Sequence, residues 1–121
     1  MGGTVKIVKI ISMIIKAKIK PLSVNKAWQG RRFKTKDYIA YEKELLLILP
    51  KKKMIKGLIE VHIVVFFKNV MRADSDNILK PILDICQKKG YYENDNKIMI
   101  LSVEKKKSEN EGFIISIENI K

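Results

Sequence analysis

Apolar and polar residues follow two different periods along this chain, and the periods separate strands from helices. Near the start, Lys16, Lys18 and Lys20 alternate with apolar neighbours, a period of two that is typical of a strand with one solvent-exposed face. After Thr35, a good N-cap residue, apolar residues recur every three or four positions, which predicts a helix. A β-branched and aromatic run over 57–68 then predicts a central strand.

Six elements are predicted in the order β-α-β-α-β-β. They are a strand from about Met13 to Lys20, a helix over 36–48, a strand over 57–68, a helix over 77–89 capped by Gly90, and strands near 98–104 and 112–117. Residues 21–35 are interpreted as a basic loop, and 105–111 as a charged turn. Pro81 removes a helical hydrogen bond, so the second helix either starts later or is kinked in its first turn. This order predicts an α+β fold, a two-layer sandwich with two helices on one mixed sheet.

The length of 121 residues fits a single domain over 1–121. Residues 1–12 extend the first strand, form a short strand of their own, or precede the domain as an N-terminal extension. The charge-free stretch Ile10–Ile15 is far shorter than the roughly 20 residues of a spanning helix, so no membrane partner is expected. Cys86 is the only cysteine, which excludes an internal disulfide and fits a cytoplasmic location.

Charge is distributed unevenly. Lys and Arg total 25 against 13 Asp and Glu, a net charge of +12, and residues 1–72 hold 17 of the basic and 4 of the acidic side chains. Such a surface attracts a polyanion, because each neutralised phosphate releases counterions. The alternative is a solvated lysine-rich surface with no binding role. Charge therefore favours nucleic acid as the partner without deciding the chemistry.

Asp74 and Asp76 stand two residues apart where a strand ends, a spacing that directs both carboxylates to one side. Mg²⁺ prefers such oxygen ligands. Lys80 and Asp84 continue the stripe at intervals of four, and the Lys80 ammonium could hold a phosphate. Asp95 joins this cluster only if the chain doubles back after the helix. The alternative is that Asp76 is an ordinary N-cap, Asp74 a turn residue and Asp84 a surface ion-pair partner.

Other side chains have structural interpretations. His62 is expected to be a half-exposed sheet residue, and Cys86 a small core residue on the apolar stripe of its helix. Trp28 either packs on the first helix or stacks on an unpaired base. Tyr91 and Tyr92 are open to packing, to a dimer contact or to DNA.

These residues resemble a known family. The motif Asp74-x-Asp76-Asn77-x-x-Lys80, followed in order by Asp84, Gly90 and Asp95, resembles the RusA family of Holliday junction resolvases. The upstream segment Pro21-Leu22-Ser23-Val24-Asn25, with Arg31, Arg32 and Thr35 after it, is similar to the N-terminal loop of that family. The resemblance covers roughly residues 14–106. One departure is Asn94 before Asp95, where the family often has two adjacent acids.

The resemblance implies a homodimer that binds four-way DNA junctions and nicks two strands symmetrically with Mg²⁺ or Mn²⁺. By motif position, Asp74, Asp76 and Asp95 are the expected metal-binding catalytic carboxylates, Glu93 is a weaker substitute for Asp95, and Lys80 is the expected catalytic lysine. The expected DNA-contacting residues are Asn25, Arg31, Arg32, Lys34 and Arg72. The leading hypothesis is a junction-resolving endodeoxyribonuclease of recombination and repair, acting in the cytoplasm of a prokaryotic cell or of a phage host. The alternatives are a non-catalytic nucleic-acid-binding module and a structural protein with a degenerate fold.

Overall fold

Two helices pack on one face of a mixed four-stranded sheet. The computed structural model describes residues 10–22, 28–29, 33–69 and 75–120, and of 28–29, 33–34 and 75–77 it describes the backbone alone. In chain order the elements are β1 (Ser12–Ala17), β2 (Trp28–Gln29), β3 (Phe33–Lys34), α1 (Lys36–Ile48), β4 (Ile59–Phe67), α2 (Ser75–Lys89), a short 3-10 helix (Asp95–Lys97), β5 (Ile98–Lys107) and β6 (Gly112–Asn119). The predicted α+β class, with the β-α-β-α-β-β order, is confirmed.

The structure differs from the sequence-based expectation in several places. β1 ends at Ala17 rather than at Lys20, because its pairing with β6 ends at Ala17 and Phe113. The segment interpreted as a loop contains the short antiparallel pair β2–β3, which forms a separate two-stranded sheet. α2 begins at Ser75, two residues early, and continues through the buried Pro81. β5 extends to Lys107 because β4 continues beside it, with Phe67 opposite Lys107. At the edge of a sheet the lysine side chains of β5 stay in solvent, so they do not end the strand.

The sheet has the strand order β1-β6-β4-β5. β6 is antiparallel to both β1 and β4, whereas β4 and β5 are parallel and are connected through α2. The side chains of β4 alternate strictly between buried and half-buried, which is the pattern of a strand with one face on the core. Ile59, Val61, Ile63, Val65 and Phe67 lie on the buried face.

The helices complete one hydrophobic core against this face. α1 contributes Tyr41 and Leu45, and α2 contributes Ile82, Ile85 and Cys86, all buried in the same cluster as the sheet residues. The core position of Cys86 is thus confirmed. Outside the core, the helices are connected by Lys88 on α2, whose Nζ lies 2.5 Å from Glu42 Oε1 on α1. None of the described helices has both the length and the hydropathy to cross a membrane.

The opposite face of the sheet is open in the described part of the chain. It carries exposed Ile14 on β1 (64 %) and Ile100 on β5 (50 %), with half-buried Phe66 and Ile114 on the central strands. His62 also lies here, half-exposed as predicted, with its Nδ1 hydrogen-bonded to Ser102 Oγ.

Candidate active site

The acidic motif leads into the first turn of α2. Since α2 begins at Ser75, Asp76 occupies that turn, whereas Asp74 and the side chain of Asp76 lie outside what the structure describes. Lys80 follows about one turn later and is exposed. The start of a helix carries free N–H groups and a partial positive charge, so this end of α2 favours an anion such as a phosphate.

Asp95 is brought back alongside α2 by a reversal of the chain at Gly90. Gly90 has a φ of 93°, a left-handed conformation in which a side chain would be strained. The Ile55 N–H donates to the Tyr91 carbonyl at 3.0 Å and anchors the chain after the reversal. Asp95 then starts the 3-10 helix, and its N–H donates to Gln87 Oε1 at 3.2 Å.

Tyr92 connects Asp95 to the middle of α2. The tyrosine side chain is fully buried, and its hydroxyl lies 2.5 Å from the carbonyl oxygen of Leu83 and 3.2 Å from Asp95 Oδ1. Asp95 itself is exposed. A buried phenol therefore contacts a carboxylate that faces solvent.

Asp84 and Asp95 both raise the pKa values of buried groups in the core. Burial, followed by the negative charge of Asp95, raises the pKa of the Cys86 thiol to about 12. Burial, followed by Asp84, raises the pKa of Tyr38 to about 12 as well. The pKa of Tyr92 is raised far above its ordinary value, first by burial and then by nearby groups that include both aspartates. Both carboxylates therefore disfavour ionisation of the Tyr92 phenol, and Asp95 also contacts it directly.

Asp76 lies near the start of α2, at some distance from the part of the helix that Tyr92 contacts. Leu83, whose carbonyl accepts from Tyr92, comes seven residues after Asp76, which is about 10 Å along the axis at 1.5 Å per residue. Among the residues that the structure describes, no three His, Cys, Asp or Glu side chains are grouped closely enough to hold a metal ion. The chemistry of Asp95 fits Mg²⁺, because it is an exposed carboxylate. Further ligands would come from the segment 74–76, whose side chains lie outside the described part.

The DNA-contacting residues expected from the sequence fall largely outside the described residues. Asn25, Arg31, Arg32 and Arg72 lie there, and of Lys34 only the backbone in β3 is described.

The sheet has one end rich in lysine. The register shows that β1, β4 and β5 all finish at the same end of the sheet. The exposed lysines at this end are Lys16, Lys18, Lys20, Lys68, Lys105, Lys106 and Lys107. α2 finishes near Ile55, at the opposite end where β4 begins, so its first turn lies towards the lysines. The tertiary structure thus adds Lys105–Lys107, which the sequence placed in a turn, to the basic N-terminal half.

Comparison with protein families gives a match along most of the chain. The model of the endodeoxyribonuclease RusA family covers residues 16–118. The chain belongs to the RusA endodeoxyribonuclease family. The RusA match runs from the last two residues of β1 almost to the end of β6, and so includes both helices, the rest of the sheet and every candidate catalytic residue. Membership supports nuclease activity and confirms the resemblance found in the sequence, whereas comparison with curated proteins gave no match.

In this member of the RusA family, two residues contact Asp95 that the sequence did not predict to be part of the site. Tyr92 was undecided between packing, dimer contact and DNA, and Gln87 was not singled out. Gln87 contacts Asp95 across eight positions of sequence that include the reversal at Gly90, and Tyr92, three positions before Asp95, reaches back nine positions to Leu83. No helical or strand period encodes these contacts. Asp84 was on the polar stripe of the helix, and the structure adds its proximity to Tyr92.

Proposed function

We propose that this protein resolves four-way DNA junctions by metal-dependent, paired nicking of two strands, in recombination and repair in the cytoplasm of a prokaryotic cell or a phage-infected host. The observation that carries the proposal is the RusA family match over residues 16–118. The ordered carboxylates, the lysine one turn into α2 and the net charge of +12 support it independently.

Asp74, Asp76 and Asp95 are the residues that would hold Mg²⁺, or Mn²⁺ in its place. When bound, such an ion supplies an activated water and stabilises charge on the attacking or leaving oxygen. Lys80 lies on the solvent-exposed side of α2 close to its start, so its ammonium can hold the phosphate of the strand to be cut. The N–H groups of the first turn of α2 bind the same kind of anion.

The lysine-rich end of the sheet supports DNA binding at the same end as Asp76. Its exposed lysines can neutralise phosphates on arms of the junction, while Asn25, Arg31, Arg32, Lys34 and Arg72 would contact DNA near the cut. Because binding would rest on many phosphate contacts, its affinity should fall steeply as the salt concentration rises.

A homodimer would supply two identical sites for two symmetric nicks. The open face of the sheet supports this assembly, since a second copy would cover the exposed Ile14 and Ile100 together with the half-buried Phe66 and Ile114. Light scattering on the purified protein should give the mass of a dimer. An Ile14→Asp substitution should give a monomer, whereas Leu47→Asp, at an even more exposed apolar residue on α1 (78 %), should leave the dimer intact.

Cleavage of a synthetic four-way junction tests the activity. The substrate is incubated with Mg²⁺ or with a chelator, beside a linear duplex of matched sequence. Asp76→Asn and Asp95→Asn should each reduce cleavage by more than the roughly 10–100-fold typical of outer-shell substitutions at metal sites. Asp37→Asn is the matched control, because Asp37 is an exposed aspartate in the first turn of the other helix.

Symmetric nicks that require the metal and are lost in both site variants are the expected result. Tight junction binding with no metal-dependent nicking would instead establish the non-catalytic DNA-binding module. Equal cutting of junction and duplex would keep the nuclease but refute junction selectivity.

A further inference from the structure

Asp95 is an exposed residue held by contacts from the interior. Its Oδ1 lies 3.2 Å from the hydroxyl of the fully buried Tyr92, and its backbone N–H donates to Gln87 Oε1 at 3.2 Å. One contact restrains the carboxylate and the other restrains the main chain. An aspartate at the start of a short 3-10 helix on the surface would otherwise sample several rotamers.

The hydroxyl of Tyr92 is itself fixed in position. It lies 2.5 Å from the carbonyl oxygen of Leu83 on α2, and its ring is buried in the core. A phenol has one hydrogen to donate, so Leu83 and Asp95 share it as two acceptors. The position of the Asp95 carboxylate is therefore coupled to the rigid middle of α2.

We propose that Tyr92, together with Gln87, positions Asp95 for metal binding. This inference rests on the proposed function, in which Asp95 is a metal ligand. Residues that hydrogen-bond to metal-binding side chains orient them, and their loss typically costs about 10–100-fold in metal affinity or activity. Tyr92 is a positioning residue here, since it acts on the metal through Asp95.

The neighbouring tyrosine provides a matched control. Tyr91 is also fully buried, and its hydroxyl donates to the Pro50 carbonyl at 2.6 Å. Tyr91→Phe and Tyr92→Phe each remove one hydroxyl from a buried tyrosine that hydrogen-bonds a backbone carbonyl. The Tyr92 hydroxyl also reaches Asp95, so a general loss of stability should affect both variants, whereas a loss of positioning should affect Tyr92→Phe alone.

The test measures metal binding without DNA. Mn²⁺ is titrated into the wild type, Tyr92→Phe, Tyr91→Phe, Gln87→Leu and Asp95→Asn, with the free ion followed by electron paramagnetic resonance. The Kd for Mn²⁺ should rise about tenfold or more in Tyr92→Phe and in Gln87→Leu and stay unchanged in Tyr91→Phe. In junction cleavage, the Mg²⁺ concentration for half-maximal rate should rise in the same two variants, and saturating Mg²⁺ should restore much of the rate.

Equal Mn²⁺ affinities in Tyr92→Phe and Tyr91→Phe would overturn the role of Tyr92. If Tyr92→Phe did not fold, Gln87→Leu would decide the proposal, because Gln87 is half-buried on the helix surface and loses only its contact with Asp95. The proposed function fails separately: in that case the wild type would not cut the junction with Mg²⁺. If Asp95→Asn bound Mn²⁺ and cut junctions as the wild type does, Asp95 would not be a metal ligand.

Discussion

At Gly112 in the sheet, we expect the addition of a single methyl group to destabilise the fold. It starts β6, where this strand runs antiparallel to β1. A Cβ built on Gly112 would lie 2.3 Å from the carbonyl oxygen of Ala17 and 3.3 Å from both its carbonyl carbon and Lys18 Cα. All three atoms belong to the backbone, so no side chain can rotate away. The strands would have to separate by several tenths of an ångström at this end of the sheet.

Gly112→Ala should therefore lower the free energy of unfolding by about 1–3 kcal/mol, the usual cost of overpacking a buried position. For a domain of this size, 1 kcal/mol corresponds to about 4 °C, so Tm should fall by about 4–12 °C. Denaturant unfolding followed by circular dichroism measures the free energy, and hydrogen exchange should locate the loss of protection in β1 and β6.

Ser116→Ala, in the middle of the same strand, is the control and should change stability by at most about 0.5 kcal/mol. If Gly112→Ala were as stable as this control, the close approach of β1 to β6 at Ala17 would be refuted. A loss spread evenly over all strands would also contradict the local mechanism.

Two further predictions concern charge and reactivity. The pKa of Glu118 is raised above its ordinary value, mainly by its hydrogen bond with Glu60 on β4, so the folded protein loses stability as the pH rises and Glu118 ionises. Glu118→Gln should consequently gain stability over the wild type on going from pH 4 to pH 7, measured by thermal unfolding, and a constant difference would contradict the raised pKa of Glu118. Cys86 is fully buried, and the pKa of its thiol is raised to about 12. A thiol reagent at pH 8 should therefore leave Cys86 unmodified in the folded protein and modify it in denaturant. Rapid reaction of the folded protein would place the thiol at the surface.

Local sequence features were sufficient for the elements whose causes are local. α1 has the predicted bounds of 36–48 because Thr35 caps it, with its side-chain oxygen accepting from the Tyr38 N–H, and because one apolar stripe faces the core. The family could also be recognised from the sequence, since the order and spacing of Asp74, Asp76, Lys80 and Asp95 are written in the chain itself.

Other features depended on partners distant in the sequence. The continuation of β5 to Lys107 required the parallel neighbour β4, and the strand order β1-β6-β4-β5 is visible only in the assembled sheet. No sequence pattern indicated that Lys105–Lys107 share one end of the sheet with Lys16.

The environment of Asp95 shows the same division most clearly. The sequence by itself determined that an aspartate follows the second helix and could join the acidic motif if the chain doubles back, and it left the role of Tyr92 undecided. The tertiary structure decided that the chain turns at Gly90, buries Tyr92 and sets its hydroxyl against Leu83 and Asp95. The physical reason is that hydrogen bonds and burial between residues on different elements depend on how those elements pack, which local periodicity does not specify.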